Sequence, residues 1–401
     1  MYRPTALAVL PSLPVRVVDG KRVVMTRKFI DGMEKYCDLW GGPVSVFMEP
    51  TGDPTSNLDE EEVERAKLPF RLEVVSFDDP KLGEILAGHR LALGTLYCRE
   101  NHLSRVCRSV GVPCVYVAEY SLKTRWQVIR SHVKNPAISL RRHYWELGQE
   151  RRHRAAVRLA SGVQCNGTPT FDAYREINPR PFLYFDTRVD EAMLITDVEL
   201  EERLAEVRRG DPLRLLFSGR LIAMKGADHL VRVADELRRL GVAFELTICG
   251  GGALESAIRA EVGRLGLGDR VKLAGVLHFK SELVPMTKRR ADLFVCCHRT
   301  GDPACTYLEV MSCGVPIIGY DNEAFAGVVR ESGVGWTAPM NRPDRIAAKI
   351  AELAVDRASL LDASRRAVEF SRHHTFDQTF RARIDHLKAC SPQPDAAVKA
   401  G

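Results

Sequence analysis

The stretch LRLLFSGRLIAMKG (213–226) decides the fold, together with its companion TYLEVMSCGVP (306–316). In the first, the apolar run from Leu213 to Phe217 gives way to Ser218-Gly219-Arg220 and then to Lys225-Gly226. That is a buried strand ending in a turn that opens a helix. In the second, Thr306-Tyr307-Leu308-Glu309 starts a short helix that runs through Ser312-Cys313-Gly314-Val315-Pro316 towards another strand. Both junctions fall where a strand ends and a helix begins, the edge at which open parallel sheets bind ligands. Two cations and one carboxylate gathered there suit a nucleoside diphosphate. The cations take phosphate oxygens, and the carboxylate takes ribose hydroxyls. The implied substrate class is a sugar nucleotide.

Outward from these segments the same alternation continues. Strands are expected at 213–218, 244–249, 271–274, 293–297, 315–319 and 335–338, with helices at 227–240, 254–265, 281–290, 307–312, 344–355 and 357–371. In the first helix Leu230, Ala234 and Leu237 recur at three- and four-residue spacing, one apolar face for a sheet. The first half predicts strands at 6–10, 44–47, 72–77, 91–96, 114–117, 163–166 and 182–185, and a helix at 27–39. Strands alternating with helices predict an α/β protein with parallel sheets covered on both faces. Gly210-Asp211-Pro212 marks the boundary between domains 1–210 and 211–372. A last helix at about 377–389 packs back on the first domain, and 391–401 reads as a disordered tail. The acidic stretch 53–65 reads as a solvated loop and helix start, and the basic, aromatic stretch 122–159 as one long helical region.

With 401 residues, two cores are expected rather than one. Composition is globular, and a net charge of +6 is too mild for a dedicated nucleic-acid binder. The eleven cysteines are scattered with no Cys-x-x-Cys, which fits small buried thiols in a reducing compartment. Pro4, Pro11 and Pro14 break any signal-peptide core, and no apolar run reaches a membrane span. The expectation is a cytoplasmic protein.

Phe217-Ser218-Gly219-Arg220-Leu221, Lys225-Gly226, Gly250-Gly251-Gly252, Gly275 and the run from Leu308 to Pro316 resemble glycosyltransferase family 4. The resemblance covers about Pro212 to Asp356 in order and spacing. It implies the GT-B fold, two Rossmann-like doubly wound domains facing across a cleft, and a retaining transfer of sugar from a nucleotide-diphosphate donor to an acceptor hydroxyl. The first domain would bind the acceptor and the second the donor. Arg220 and Lys225 would take the diphosphate and Glu309 the ribose, with Gly219, Gly250 and Gly251 allowing close backbone approach. Amides of Ala304, Cys305 and Thr306 would meet phosphate at the helix start.

Two departures qualify the resemblance. The family's first glutamate, eight positions before the second, is Gly301 here; Asp302 is the candidate replacement, although Asp302-Pro303 also makes a simple turn. Many relatives carry a histidine after the strand at 114–117, where this chain has Ala118-Glu119-Tyr120-Ser121. Glu119 is therefore the acceptor-side catalytic candidate, a plain strand-end carboxylate being its alternative; Arg27-Lys28-Phe29, opening a helix near the cleft, is a further acceptor candidate, and Asn166-Gly167-Thr168 an alternative cleft wall. His298 reads as a packed histidine at a strand end. There is no His-x-x-x-His and no Asp-x-Asp, so neither cofactor nor metal is expected, and the leaving charge falls to Arg220, Lys225 and helix amides. Expected partners are the nucleotide-sugar donor and a glycan, lipid-linked or small-molecule acceptor. The basic stretch adds an anionic membrane surface, touched peripherally from inside, as an alternative to a solvated helix face. A sugar phosphorylase on the same fold and a catalytically silent nucleotide-sugar-binding regulator remain alternatives. A dinucleotide-dependent oxidoreductase is disfavoured, since no GxGxxG with a downstream acid occurs.

Overall fold

Val44–Met48 and Gly162–Asn166 are buried along their whole length, the signature of central parallel strands covered on both faces. In the computed structural model, which describes residues 5–52, 60–210 and 212–391, they belong to a seven-stranded parallel sheet. Its spatial order is Pro181–Tyr184, Gly162–Asn166, Cys114–Ala118, Leu91–Thr95, Leu7–Leu10, Val44–Met48 and Arg71–Val74. A second parallel sheet runs Val271–Gly275, Phe244–Cys249, Leu213–Ser218, Leu293–Cys296, Ile317–Tyr320 and Trp336–Ala338. In each sheet the chain builds outward in one direction and then reverses beside its first strand. The second sheet reverses between Leu213–Ser218 and Leu293–Cys296, so residues 219–226 and 297–306 open into one crevice. Two doubly wound α/β domains result.

The helix Phe376–Cys390 returns to the first domain, where Phe380, Ile384 and Leu387 join the core beside Ile30, Met33 and Tyr36. Arg383 of this helix donates to Gln164 at 3.0 Å, while the Gln164 amide donates to the Arg383 carbonyl at 2.8 Å.

Three sequence expectations need correction. Residues 60–64 form a strand, not part of a solvated loop and helix start; Glu60–Glu64 pairs antiparallel with Arg22–Thr26 in a separate four-stranded sheet. Arg22 donates to Glu62 at 2.6 Å and Arg27 lies 3.7 Å from Glu61, so cations 34 and 40 residues away balance the acids. Residues 53–59 of the same stretch lie outside the described residues, as do Asp211 and 392–401 of the expected tail. The long basic region divides into two helices, Leu122–His132 and Pro136–Leu159. Pro136 disfavours helix at Asn135, whose side chain instead accepts from Ala137 and Ile138 as a cap. Within this hairpin Arg125 is not a solvated cation; it donates to Glu146 at 2.7 Å and Glu150 at 2.8 Å, and all three are largely buried. Finally, the expected strand at 315–319 begins two residues later, at Ile317.

All eleven cysteines are free thiols. Among the described residues no helix is long and apolar enough to cross a membrane.

Candidate functional site

The strand Leu213–Ser218 ends in a loop laced to its neighbours. Gly219 donates to the Cys249 carbonyl at 3.0 Å, Leu221 to Gly251 at 2.9 Å, and Gly250 to Gly275 at 2.7 Å. These bonds hold the three strand ends as one floor. Arg220 projects from it exposed, and Lys225 follows at the end of the short turn Ala223–Lys225. The Lys225 ammonium stands 2.9 Å from Asp302 Oδ2, both side chains largely buried. Thr300 Oγ1 donates to the other Asp302 oxygen at 2.7 Å. Burial works against the charge of Asp302, yet Lys225 holds its carboxyl below the usual range, so it is ionised at neutral pH. Fully buried beside them, His298 is kept neutral by burial and by the Lys225 charge.

Across the crevice the helix Thr306–Ser312 carries Glu309, buried in the domain. Arg188, which the sequence did not single out, donates through Nε and Nη2 to one Glu309 oxygen, each at 2.8 Å. Its guanidinium lies 4.2 Å over the Phe279 ring. Burial pushes the Glu309 carboxyl up and Arg188 opposes it. Ala304, Cys305 and Thr306 lead into this helix, whose first amides have no intrahelical acceptor.

The first domain contributes Glu119, one residue beyond Cys114–Ala118. It accepts from Asn166 Nδ2 at 2.8 Å and Tyr184 OH at 3.4 Å. Burial and the neighbouring Asp186 raise its carboxyl, against Asn166, Arg383 and Lys28. Lys28 reaches Asp186 Oδ2 at 2.7 Å and Cys305 Sγ at 3.8 Å, so the two domains touch beside the second domain's loop. Tyr120 ties the set together: burial raises its phenol, Asp302 and Glu119 add to the rise, and Arg220 and Lys28 oppose it. Arg220, Lys225, Asp302, Glu119, Cys305 and Glu309 therefore face a common seam. A narrow crevice runs along it between Asn166, Gly167 and Asp186 on one wall and Pro303, Ala304 and Tyr307 on the other. A larger groove over one face of the second sheet, beside Glu206, Arg214 and Lys272, contains none of these residues.

Gly301 is held between the domains. Its amide donates to Gln127 Oε1 at 2.7 Å and its carbonyl accepts from Thr124 Oγ1 at 3.2 Å. A Cβ there would stand 2.5 Å from Glu323 Cγ. The Glu323 carboxylate accepts from Ser121 at 2.6 Å and Thr124 at 2.9 Å. The Glu323 side chain, from another helix, thus packs against the place where a side chain at 301 would begin. Sequence spacing gave no signal for Glu323, Arg188 or Asp186, because each meets its partner across more than 100 residues. Among the described residues no group of three or more His, Cys, Asp or Glu side chains gathers as a metal site would.

Residues 199–372 match the family model described as glycosyl transferases group 1. The amylovoran biosynthesis glycosyltransferase AmsK of Erwinia amylovora is 29% identical over 180 residues, 42% of this chain and 43% of that protein. The alpha-D-kanosaminyltransferase of Streptomyces kanamyceticus is 27% identical over 164 residues, 40% of this chain and 42% of that one. These matches span less than half the length of either curated relative. A crystal structure of Anabaena Alr3699/HepE in complex with UDP shares the fold, with a TM-score of 0.66 at 13% identity over 96% of this chain and 99% of that one. The fold is GT-B.

Proposed function

We propose, on the premise that residues 199–372 belong to the group 1 glycosyl transferases, that this protein moves a sugar from a nucleotide-diphosphate donor to an acceptor hydroxyl with retention. The observation that carries this is the crevice at the reversal of the second sheet, where Arg220 and Lys225 leave one strand and residues 300–306 leave its neighbour. The donor's diphosphate lies against Arg220, Lys225 and the amides of Ala304, Cys305 and Thr306, with its ribose on Glu309. Gly219, Gly250 and Gly251 form the floor. The acceptor enters from the Glu119 side, and closure of the seam brings the two together. Charge on the leaving nucleotide is met by cations and amides, so the reaction needs no metal ion. The work belongs in the cytoplasm, in glycan, polysaccharide or glycolipid synthesis.

Thermal denaturation with UDP, GDP, ADP and TDP tests the donor class. A ligand at one hundred times its Kd stabilises by about 2.7 kcal/mol, so one of UDP or GDP is expected to raise Tm by several degrees. No rise with any of the four at millimolar concentration sinks the donor site. A panel of UDP- and GDP-sugars, assayed with and without EDTA, then reads turnover, expected to be the same in both.

A second reading, a silent nucleotide-sugar-binding regulator, is favoured by two observations: Asp302 already occupies Lys225, and Gly301 carries no side chain. It gives the same thermal shift and no turnover of any donor.

A membrane-bound acceptor is supported by the helix Pro136–Leu159. It exposes Leu140 (61%), Tyr144 (69%) and Trp145 (51%) beside the exposed Arg141, Arg142, Arg151 and Arg152. Aromatics of this kind suit the headgroup layer, and each cation near an anionic surface adds about 1 kcal/mol. Co-sedimentation with phosphatidylserine vesicles at low salt is expected to exceed that with neutral vesicles, and Trp145→Glu to abolish the difference. Equal sedimentation with both removes the membrane from the list of partners.

A further inference from the structure

Lys28 is a cation that the first domain brings to the seam. It lies in the first turn of the helix Arg27–Trp40, which Thr26 caps by accepting from Phe29 N at 3.3 Å and whose first turn holds no acidic residue. Its ammonium reaches across the seam to within 3.8 Å of Cys305 Sγ, the residue that precedes the helix Thr306–Ser312. Its ion partner is Asp186, at 2.7 Å.

We propose that Lys28 is a third cation on the donor's diphosphate, delivered by the first domain, and that Asp186 is the partner it exchanges for a phosphate oxygen. This rests on the nucleotide-diphosphate reading above and adds a contact that the second domain cannot make alone. Three features support the exchange. First, the Lys28 side chain is half exposed and that of Asp186 a quarter exposed, so solvent, and with it an entering ligand, reaches the ammonium. A diphosphate, with more than one charge and several acceptor oxygens, outcompetes a single carboxylate for such an ammonium. Second, Asp186 does not lose all compensation when Lys28 leaves. The Arg383 charge also acts on it, and Cys305 donates to its carboxylate at 3.4 Å. Third, lysine is a point charge on a flexible stem and turns to a new partner without the planar geometry an arginine needs. The ammonium keeps its charge throughout: burial works against it, but the Asp186 carboxylate helps hold it above its ordinary range.

The consequence is that closure of the seam and charge neutralisation of the donor are one event. A nucleotide bound only to the second domain would lack one of its cations until the first domain closed on it.

The two members of the pair give opposite predictions, which separates a phosphate contact from a structural latch. Titration calorimetry with UDP, GDP, ADP, TDP and their nucleosides is carried out on wild-type protein, Lys28→Met and Asp186→Asn. Lys28→Met is expected to weaken whichever nucleoside diphosphate the wild type binds by about 10- to 100-fold, the worth of a charged hydrogen bond. Its affinity for the matching nucleoside should be unchanged. Asp186→Asn, which releases the ammonium, is expected to bind the diphosphate as tightly as the wild type or more tightly. The proposal is overturned if Lys28→Met binds the diphosphate as the wild type does. Equal weakening in both variants, or equal loss of diphosphate and nucleoside, overturns it too and makes the pair a latch. Wild-type protein that binds none of UDP, GDP, ADP and TDP overturns the donor assignment and this proposal with it.

Discussion

Replacing Lys225 with alanine is expected to slow sugar transfer by about 10²- to 10³-fold, the loss seen when one preorganised donor to a developing charge is removed. Arg220→Ala should act in the same direction. The two residues differ in setting. Arg220 is exposed, so water screens part of its contribution, whereas Lys225 is largely buried and acts in a lower dielectric. Lys225→Ala should therefore be the more damaging. It also strips Asp302 of its ion partner and leaves a largely buried carboxylate with only the Thr300 hydroxyl, which costs stability of about 1–3 kcal/mol or more. A double variant, Lys225→Ala with Asp302→Asn, separates the two effects. Its melting temperature should recover, because no buried charge is left unpaired, while its turnover should not. Initial rates at saturating donor, with thermal melts on the same preparations, make the measurement. Near-wild-type turnover in both Arg220→Ala and Lys225→Ala would refute the diphosphate assignment.

Gly226→Ala is expected to cost about 3 kcal/mol or more, near the top of what single substitutions do. Two causes act at this one position. Gly226 has φ +64°, left-handed backbone that an alanine enters at a cost of about 1 kcal/mol or more. Its Cβ would also fall 1.9 Å from the Cys297 carbonyl oxygen and 2.8 Å from the Cys297 Cβ, on the neighbouring strand. The clash meets backbone, so no side chain can swing away, and the turn carrying Lys225 must lift off the strand that leads to Asp302. Gly266 supplies the comparison: it has the same φ of +64°, yet nothing lies within 4 Å of an added Cβ. Gly266→Ala should lose only the local strain. Urea denaturation of the two variants isolates the tertiary term, and equal losses would show that the close approach to Cys297 carries no energy.

How much of this could be read beforehand follows from range. The strands Leu213–Ser218, Phe244–Cys249 and Leu293–Cys296 were visible as apolar runs between turn residues, because a strand covered on both faces leaves its mark in consecutive positions. Arg220, Lys225 and Glu309 were visible because each sits within a few residues of such a strand's end or a helix start. The strand Glu60–Glu64 was invisible for the opposite reason. A run of glutamates is an unlikely strand by local preference, and Arg22 and Arg27 on the adjoining segment help make it acceptable.

By itself, then, the sequence determined the parallel α/β layering, the loops that follow each strand, and which of those loops carry charge. These depend on hydrophobic periodicity and turn chemistry over a dozen residues or fewer. Only the tertiary structure decided how those charges are partnered: Lys225 on Asp302, Glu309 on Arg188, Lys28 on Asp186, and Glu323 in the space beside Gly301. Each pairing joins segments 77 to 158 residues apart, except Glu323, which reaches its partners Ser121 and Thr124 from 202 and 199 residues away. A charge is local to its residue, but its energy depends on what lies within about 4 Å, and that neighbourhood exists only once the sheets have closed.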